Sequence, residues 1–257
     1  MTWEFKLIGK KPKLTNPILV EGLPGIGNIG KVAVDFIIEE VNAKKLYEVT
    51  SFSFPHSVFV NEENLIEMPV IEVFYAKRKK QDLILLSGDI QPMDEKSCYE
   101  FCHLLLSKFE SLKGKEIITI GGIGLQDVPK VPKVYCTGNN KKIIDKYKKG
   151  TKLNNNIYGV VGPIVGVTGL LLGLAGKKKI PAIALLAETI GHPMYLGIKG
   201  SREVLKILDK KLDLGIDLNK LDSEIKDLEK EIKFTTEKLA KIQKDFAKKN
   251  SETSYIG

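Results

Sequence analysis

Short apolar runs bounded by turn residues alternate along this chain with stretches in which apolar residues recur every three or four positions. The runs are Ile18–Val20, Leu46–Phe54, Val70–Tyr75, Leu83–Leu86, Ile117–Ile120, Lys133–Cys136, Ile157–Val161 and Ala182–Leu186. Their length and bounding residues predict buried strands. Helical spacing appears in Gly30–Val41, where Val34, Ile37, Ile38 and Val41 share a face, and in Asp94–Phe109, where Phe101, Leu104, Leu105 and Phe109 do. Asp94 and Glu95 suit the first turn of that second helix. Val167–Ala175, a short stretch around Asp145 and Ser201–Leu212 complete the predicted helices. Strands alternating with helices predict an α/β fold with a mainly parallel sheet and helices on both faces. Val58–Met68 lacks a helical signal and reads as a hairpin turning near Asn61–Asn64, which would make the sheet mixed.

The C-terminus follows another pattern. Leu218, Leu221, Ile225, Leu228, Ile232, Thr235, Leu239, Ile242 and Phe246 are spaced alternately three and four apart, a heptad seam with one polar interruption at Thr235. Charged residues fill most other positions, so the apolar stripe is narrower than a globular core helix needs. The reading is a long helix or coiled coil. It divides the chain into an α/β domain over 1–213 and a segment over 214–257, with a helical arm at 218–246 and a loose polar tail at 247–257.

Charge changes this picture little. Net charge is +8, but residues 217–257 carry nine Lys and nine Asp or Glu, so the excess lies on the body in runs such as Lys77–Lys80 and Lys177–Lys179. Only Arg78 and Arg202 are arginines, and aromatics do not interleave the basic runs. That argues against a nucleic-acid surface and for a solvated Lys-rich face. Three cysteines give no paired disulfide framework, and no apolar leader is visible at the N-terminus, so the expected compartment is the cytoplasm. Ile157–Gly176 is twenty residues without a charge and imitates a membrane span. Gly162-Pro163 interrupts it, however, and it reads as a strand followed by a helix.

The most suggestive chemistry lies in Gly22-Leu-Pro-Gly-Ile-Gly-Asn-Ile-Gly30-Lys31, which follows a strand and opens a helix. Gly25, Gly27 and Gly30 fit the dinucleotide fingerprint, with Glu48 in the next strand as the ribose-binding acid. Gly25, Gly30 and Lys31 also nearly fit a P-loop, and Asp89 after Leu83–Leu86 imitates the acidic partner. Val32, however, stands where a magnesium-binding hydroxyl is needed. The plainer reading is a tight strand-to-helix corner. The readings part at the space in front of Gly25–Gly30. A phosphate-sized cavity with converging polar groups favours a small-molecule enzyme, and a filled corner favours a scaffold.

Further motifs occur in order: Phe54-Pro55-His56-Ser57, Gly121-Gly122-Ile123-Gly124, Gly162-Pro163-Ile164-Val165-Gly166-Val167-Thr168-Gly169-Leu170-Leu171-Leu172, and Glu188-Thr189 followed by His192-Pro193-Met194. With the glycine loop they resemble the proteasome assembly chaperone 2 family over roughly Pro17 to Leu208. The resemblance implies a phosphorylase/hydrolase-like α/β fold used as a binding scaffold rather than an enzyme, with no cofactor. It implies proteasome core-particle α subunits as partners, homo-oligomers and action without ATP. Some archaeal relatives present a C-terminal hydrophobic-Tyr-any tail. This chain ends Ser254-Tyr255-Ile256-Gly257, with the tyrosine displaced to third from the end. Tyr255, Ile256 and Gly257 are therefore the partner-binding candidates.

Other reactive residues read as structural. No Gly-x-Ser-x-Gly elbow exists. Glu188 and His192 could pair to orient a base, but His56, His103 and His192 are expected in hydrogen-bonded structural roles. Cys98 and Cys102, one helical turn apart, are expected as small buried thiols, with no metal site.

Overall fold

The computed structural model describes residues 3–223 apart from 128, 155, 158, 160, 161 and 192–194. The chain divides into two compact units, Met1–Ile216 and Asp217–Gly257. The second is described only over 217–223, of which 218–223 are helical. Of the heptad seam, Leu218 and Leu221 thus lie in a helix, while Ile225, Leu228, Ile232, Leu239, Ile242 and Phe246 fall outside the described residues. So do Tyr255, Ile256 and Gly257.

The first unit holds β1 (Trp3–Leu7), β2 (Ile18–Glu21), α1 (Ile29–Glu40), β3 (Lys44–Ser51), β4 (Phe59–Val60), β5 (Ile66–Glu67), β6 (Ile71–Ala76), β7 (Leu83–Gly88), α2 (Glu95–Ser111), β8 (Glu116–Leu125), β9 (Val134–Gly138), α3 (Lys141–Lys148), α4 (Val167–Lys177), β10 (Ala182–Ile190) and α5 (Ile198–Leu212). Eight strands form one sheet in the order β1-β3-β6-β7-β2-β8-β10-β9. The central run β7-β2-β8-β10 is parallel. β1, β3 and β6 join one side antiparallel, and β9 joins the other. A mainly parallel arrangement therefore holds at the centre, and the flanks make the sheet mixed. α1 and α5 pack together on one face, α2 and α4 on the other.

The strands form where apolar residues run unbroken. β2 and β7 are buried along their whole length, as strands covered on both faces must be. Asp94 caps α2 by accepting from the Ser97 N–H at 2.9 Å, and Asn140 caps α3 by accepting from the Ile143 N–H at 3.0 Å. Val58–Met68 does form the expected hairpin, as β4 and β5, but it is a separate two-stranded sheet and not the cause of the main sheet's mixed character.

Two elements differ from the sequence reading. β1 was not foreseen: its five residues include a Glu and a Lys, and only Trp3 and Phe5 turn inward. Those rings pack on Phe101 of α2, with centroids at 4.9 and 5.8 Å, so a distant helix stabilises the strand. The strand expected at Ile157–Val161 is not formed at its described residues: Ile157 has no strand pairing and Gly159 lies in a turn. Among the described residues the chain instead makes a parallel bridge between Tyr135 and Asn154. Among the described residues no helix is long and apolar enough to cross a membrane.

The basic runs are partly structural. Arg78 donates to the Asp213 carbonyl at 2.8 Å and to that of Leu214, and Lys80 pairs with Asp213 at 2.8 Å. Together they fasten the end of α5 to the loop before β7.

Candidate functional site

β2 ends at Glu21, and the glycine loop begins at once. Its glycines permit close backbone packing. A Cβ on Gly22 would lie 2.2 Å from the Gly30 carbonyl oxygen, and one on Gly30 would lie 2.7 Å from that of Ile120. Gly27 has φ +63°, and its carbonyl accepts from the Gly197 N–H at 2.7 Å, which ties the loop to the start of α5. The loop is thus a corner clamped between α1, α5 and the upper ends of β8 and β10.

The side chains that the two nucleotide readings rely on are placed elsewhere. Lys31 turns away from the loop into a cluster on the α1 side, with Asp35 at 3.0 Å and Asp89 at 3.3 Å. Burial opposes its charge, but the two carboxylates outweigh burial and hold the ammonium above its ordinary range. Asp89 also accepts from the Val70 N–H at 3.2 Å, and the Ser87 hydroxyl bonds Asp35. The residue that would reach a phosphate is therefore committed to protein carboxylates. Glu48 lies on β3, which β6 and β7 separate from β2, so it is far from a ribose-binding place beside the loop. The sequence put Glu48 in the next strand along the chain, but the next strand in space is β7 or β8.

In front of the corner lies an open crevice of about 1290 Å³. It sits at the carboxyl ends of β7, β2 and β8, where open α/β sheets place their binding sites. Its walls come from residues 23–26, 28–30, 90–95, 120–124, 162–166 and 168–170, with Pro55, Cys98, Tyr99, Gly173, Leu174, Lys177 and Leu186. Most are apolar, proline or glycine. Several of its polar groups are turned to protein partners. The Gln91 side-chain amide donates to the Pro24 carbonyl at 2.7 Å, and its oxygen accepts from the Val167 N–H at 3.5 Å. This single side chain ties together three loops. The space is open, as an enzyme reading requires, but these polar groups do not converge on it.

Directly beneath the crevice Glu21 is fully buried. Its carboxylate accepts from the Leu23 N–H at 3.0 Å and from the Thr168 hydroxyl at 3.2 Å. Burial pushes its pKa from 4.5 up to about 7, while hydrogen bonds from Leu23, Thr168 and Ile120 pull the other way. The sequence reading missed Glu21 as a site residue. The available signal was a lone carboxylate ending an otherwise apolar strand.

The remaining candidates separate. Cys98, Cys102 and Cys136 are buried thiols. Contact with Cys98 and burial raise Cys102 well above the ordinary thiol range. His56 and His103 are exposed, and His103 stacks on Tyr99. His192 lies outside the described residues. Glu188 accepts from the Lys133 N–H at 2.8 Å and from the Tyr135 hydroxyl at 3.3 Å, and so anchors the start of β9. Among the described residues no group of three or more His, Cys, Asp or Glu is placed to hold a metal ion.

Residues 19–235 match the sequence profile of the PAC2 family. An uncharacterised protein of Methanocaldococcus jannaschii is 29% identical over 252 residues, covering 96% of this chain and 94% of its own. The crystal structure of Pyrococcus furiosus PbaB, described as an archaeal proteasome activator, is 30% identical. It superimposes with a TM-score of 0.82 over 92% of this chain and 100% of its own. Pyrococcus furiosus PbaA, described as an archaeal homolog of proteasome-assembly chaperone, is 20% identical with a TM-score of 0.76 over 99% of this chain and 100% of its own, and shares the fold.

Proposed function

This chain belongs to the PAC2 family, and from that premise we propose that it is an assembly chaperone or adaptor of the proteasome, acting through protein–protein contacts without ATP. The observation that carries this reading is the likeness, over nearly the whole chain, to the Pyrococcus proteasome activator. The corner geometry supports a scaffold, because the glycines pack backbone on backbone and Lys31 is held by Asp35 and Asp89. Self-association is part of the reading. The exposed apolar residues of the β4–β5 hairpin, among them Phe59, Val60, Ile66 and Met68, are the kind of surface that subunit contacts cover. The proposed docking element is the C-terminal Tyr255-Ile256-Gly257, where a ring and a free carboxylate together make a compact anchor.

The test is cosedimentation with purified proteasome core particle, using wild type, Tyr255→Ala and a chain lacking Tyr255–Gly257. Wild type is expected to sediment with the particle, and both variants to lose most of that binding. Equal binding by all three would move the contact to the α/β domain or the arm. Absence of binding by wild type would remove the proteasome reading.

A further inference from the structure

β8 outruns its neighbour. β2 pairs with it only as far as Glu21 beside Thr119, whereas β8 continues to Leu125 with β10 alone as its partner. The Ile117 N–H bonds the Pro181 carbonyl ahead of β10, and the Leu125 carbonyl accepts from the Gly191 N–H just beyond it. Odd-numbered residues of β8 therefore direct their backbone groups toward β10, and Gly122 and Gly124 direct theirs the opposite way, toward the crevice. Among the described residues no backbone partner meets them there. A central strand thus ends in a short free edge, floored by glycines and open to the crevice. Such edges are ordinarily paired or blunted.

The surroundings define what fits this edge. Met93 and Val165 stand 81% and 80% exposed at the rim, with Ile26 and Tyr99 also exposed. Exposed apolar residues clustered around a groove mark a surface that is covered in use. The crevice, at about 1290 Å³, is larger than the roughly 300–1,000 Å³ of small-molecule pockets. Its charges are segregated: Asp94 and Glu95 stand exposed on the rim at the start of α2, and Lys177 lines the wall that α4 provides. Near α2 an anionic occupant meets repulsion, and a basic side chain meets complementary charge.

We propose that the crevice binds an extended peptide segment of a partner protein, apolar along its length and flanked by Lys or Arg. The segment lies as an added strand beside residues 120–125 of β8, its main chain bonded to Gly122 and Gly124 and its basic flank near Asp94 and Glu95. The glycines are packed face-on by Ile26 and the end of β10, which leaves the strand edge as the direction of approach, and the apolar rim covers the peptide's side chains. This site is separate from the C-terminal docking element and does not depend on the proteasome being the partner.

Gly173 supplies the test. It lines the crevice from α4, and a Cβ there meets nothing within 4 Å, so Gly173→Phe is expected to place its ring in the groove. The probe is a short fluorescein-labelled peptide of Val, Ile and Thr flanked by Lys, titrated against the full chain by fluorescence anisotropy. Three controls are a Glu-flanked peptide, a peptide N-methylated at alternate residues, and Gly173→Phe protein checked by thermal melting. Saturable binding is expected for the Lys-flanked peptide, with each control weaker by about tenfold or more. Hydrogen exchange resolved to residues 120–125 should slow when that peptide is bound. No saturable binding, or equal binding by the Gly173→Phe protein, overturns the site. Equal binding of the N-methylated peptide overturns strand addition, and equal binding of the Glu-flanked peptide overturns the charge assignment.

Discussion

Glu21, the last residue of β2, receives a hydrogen bond from the hydroxyl of Thr168 in the first turn of α4, at 3.2 Å. The two residues are 147 positions apart. Thr168 sits in the Gly-Pro-Ile motif, and Glu21 immediately precedes the glycine-loop motif. The bond joins the buried floor of the crevice to one of its walls.

A pH dependence follows from the raised pKa of Glu21, about 7 against 4.5 in the unfolded chain. The folded state holds this proton more tightly than the unfolded state does. Its stabilising contribution is therefore complete below pH 4.5, declines as pH rises, and is lost above about pH 7. The difference corresponds to about 3 kcal/mol. Glu21→Gln, which cannot ionise, is expected to melt above wild type at pH 8 and to converge with it near pH 5. Parallel melting curves for the two proteins across that range would show that Glu21 titrates normally.

The glycine corner predicts a sharp contrast between neighbouring positions. Gly22→Ala forces a methyl against the Gly30 carbonyl and is expected to cost about 3 kcal/mol or more. Gly25 has extended backbone, and nothing lies within 4 Å of its Cβ position, so Gly25→Ala should stay within about 0.5 kcal/mol of wild type. Urea unfolding of the two variants measures the contrast. Equal losses would mean that conformational freedom, not close approach, selects these glycines.

Truncation locates the end of the first unit. Leu214 is only 3% exposed, its carbonyl accepts from Arg78, and Asp209 accepts from the Gly215 N–H at 2.7 Å. A chain ending at Ile216 is expected to unfold cooperatively. One ending at Asp213 should be less stable by about 2–3 kcal/mol, through the lost Leu214 burial. Circular dichroism during denaturation compares them. Indistinguishable midpoints would place the boundary at 213.

Lys31 predicts an inert loop. Calorimetric titration with ATP or with NAD should show no saturable heat in wild type or in Lys31→Met. Because Lys31 and its acids are about a third exposed, the substitution should cost only about 1 kcal/mol or less. Micromolar binding abolished by Lys31→Met would restore the phosphate-loop reading.

The sequence by itself determined which segments become strands and helices through most of the first unit, because burial on both faces demands unbroken apolar runs and helix faces demand their own period. It located the hairpin at β4–β5, and its ordered motifs pointed to the family. Only the tertiary structure decided neighbours. β1 exists because Trp3 and Phe5 meet Phe101, a contact no local pattern announces. Glu48 leaves the glycine loop because two later strands insert between β3 and β2. Lys31 is drawn from the loop because Asp89, just beyond β7, lies within its reach. Three of the sequence motifs, Gly22–Lys31, Gly121–Gly124 and Gly162–Leu172, wall the crevice, but nothing in the chain announces that they meet. The crevice arises from β8 extending past β2, a difference in strand length that becomes a site only when the strands lie side by side. Periodicity records which face of an element is buried, whereas pairing order and long-range contacts are settled by the packing of the whole chain.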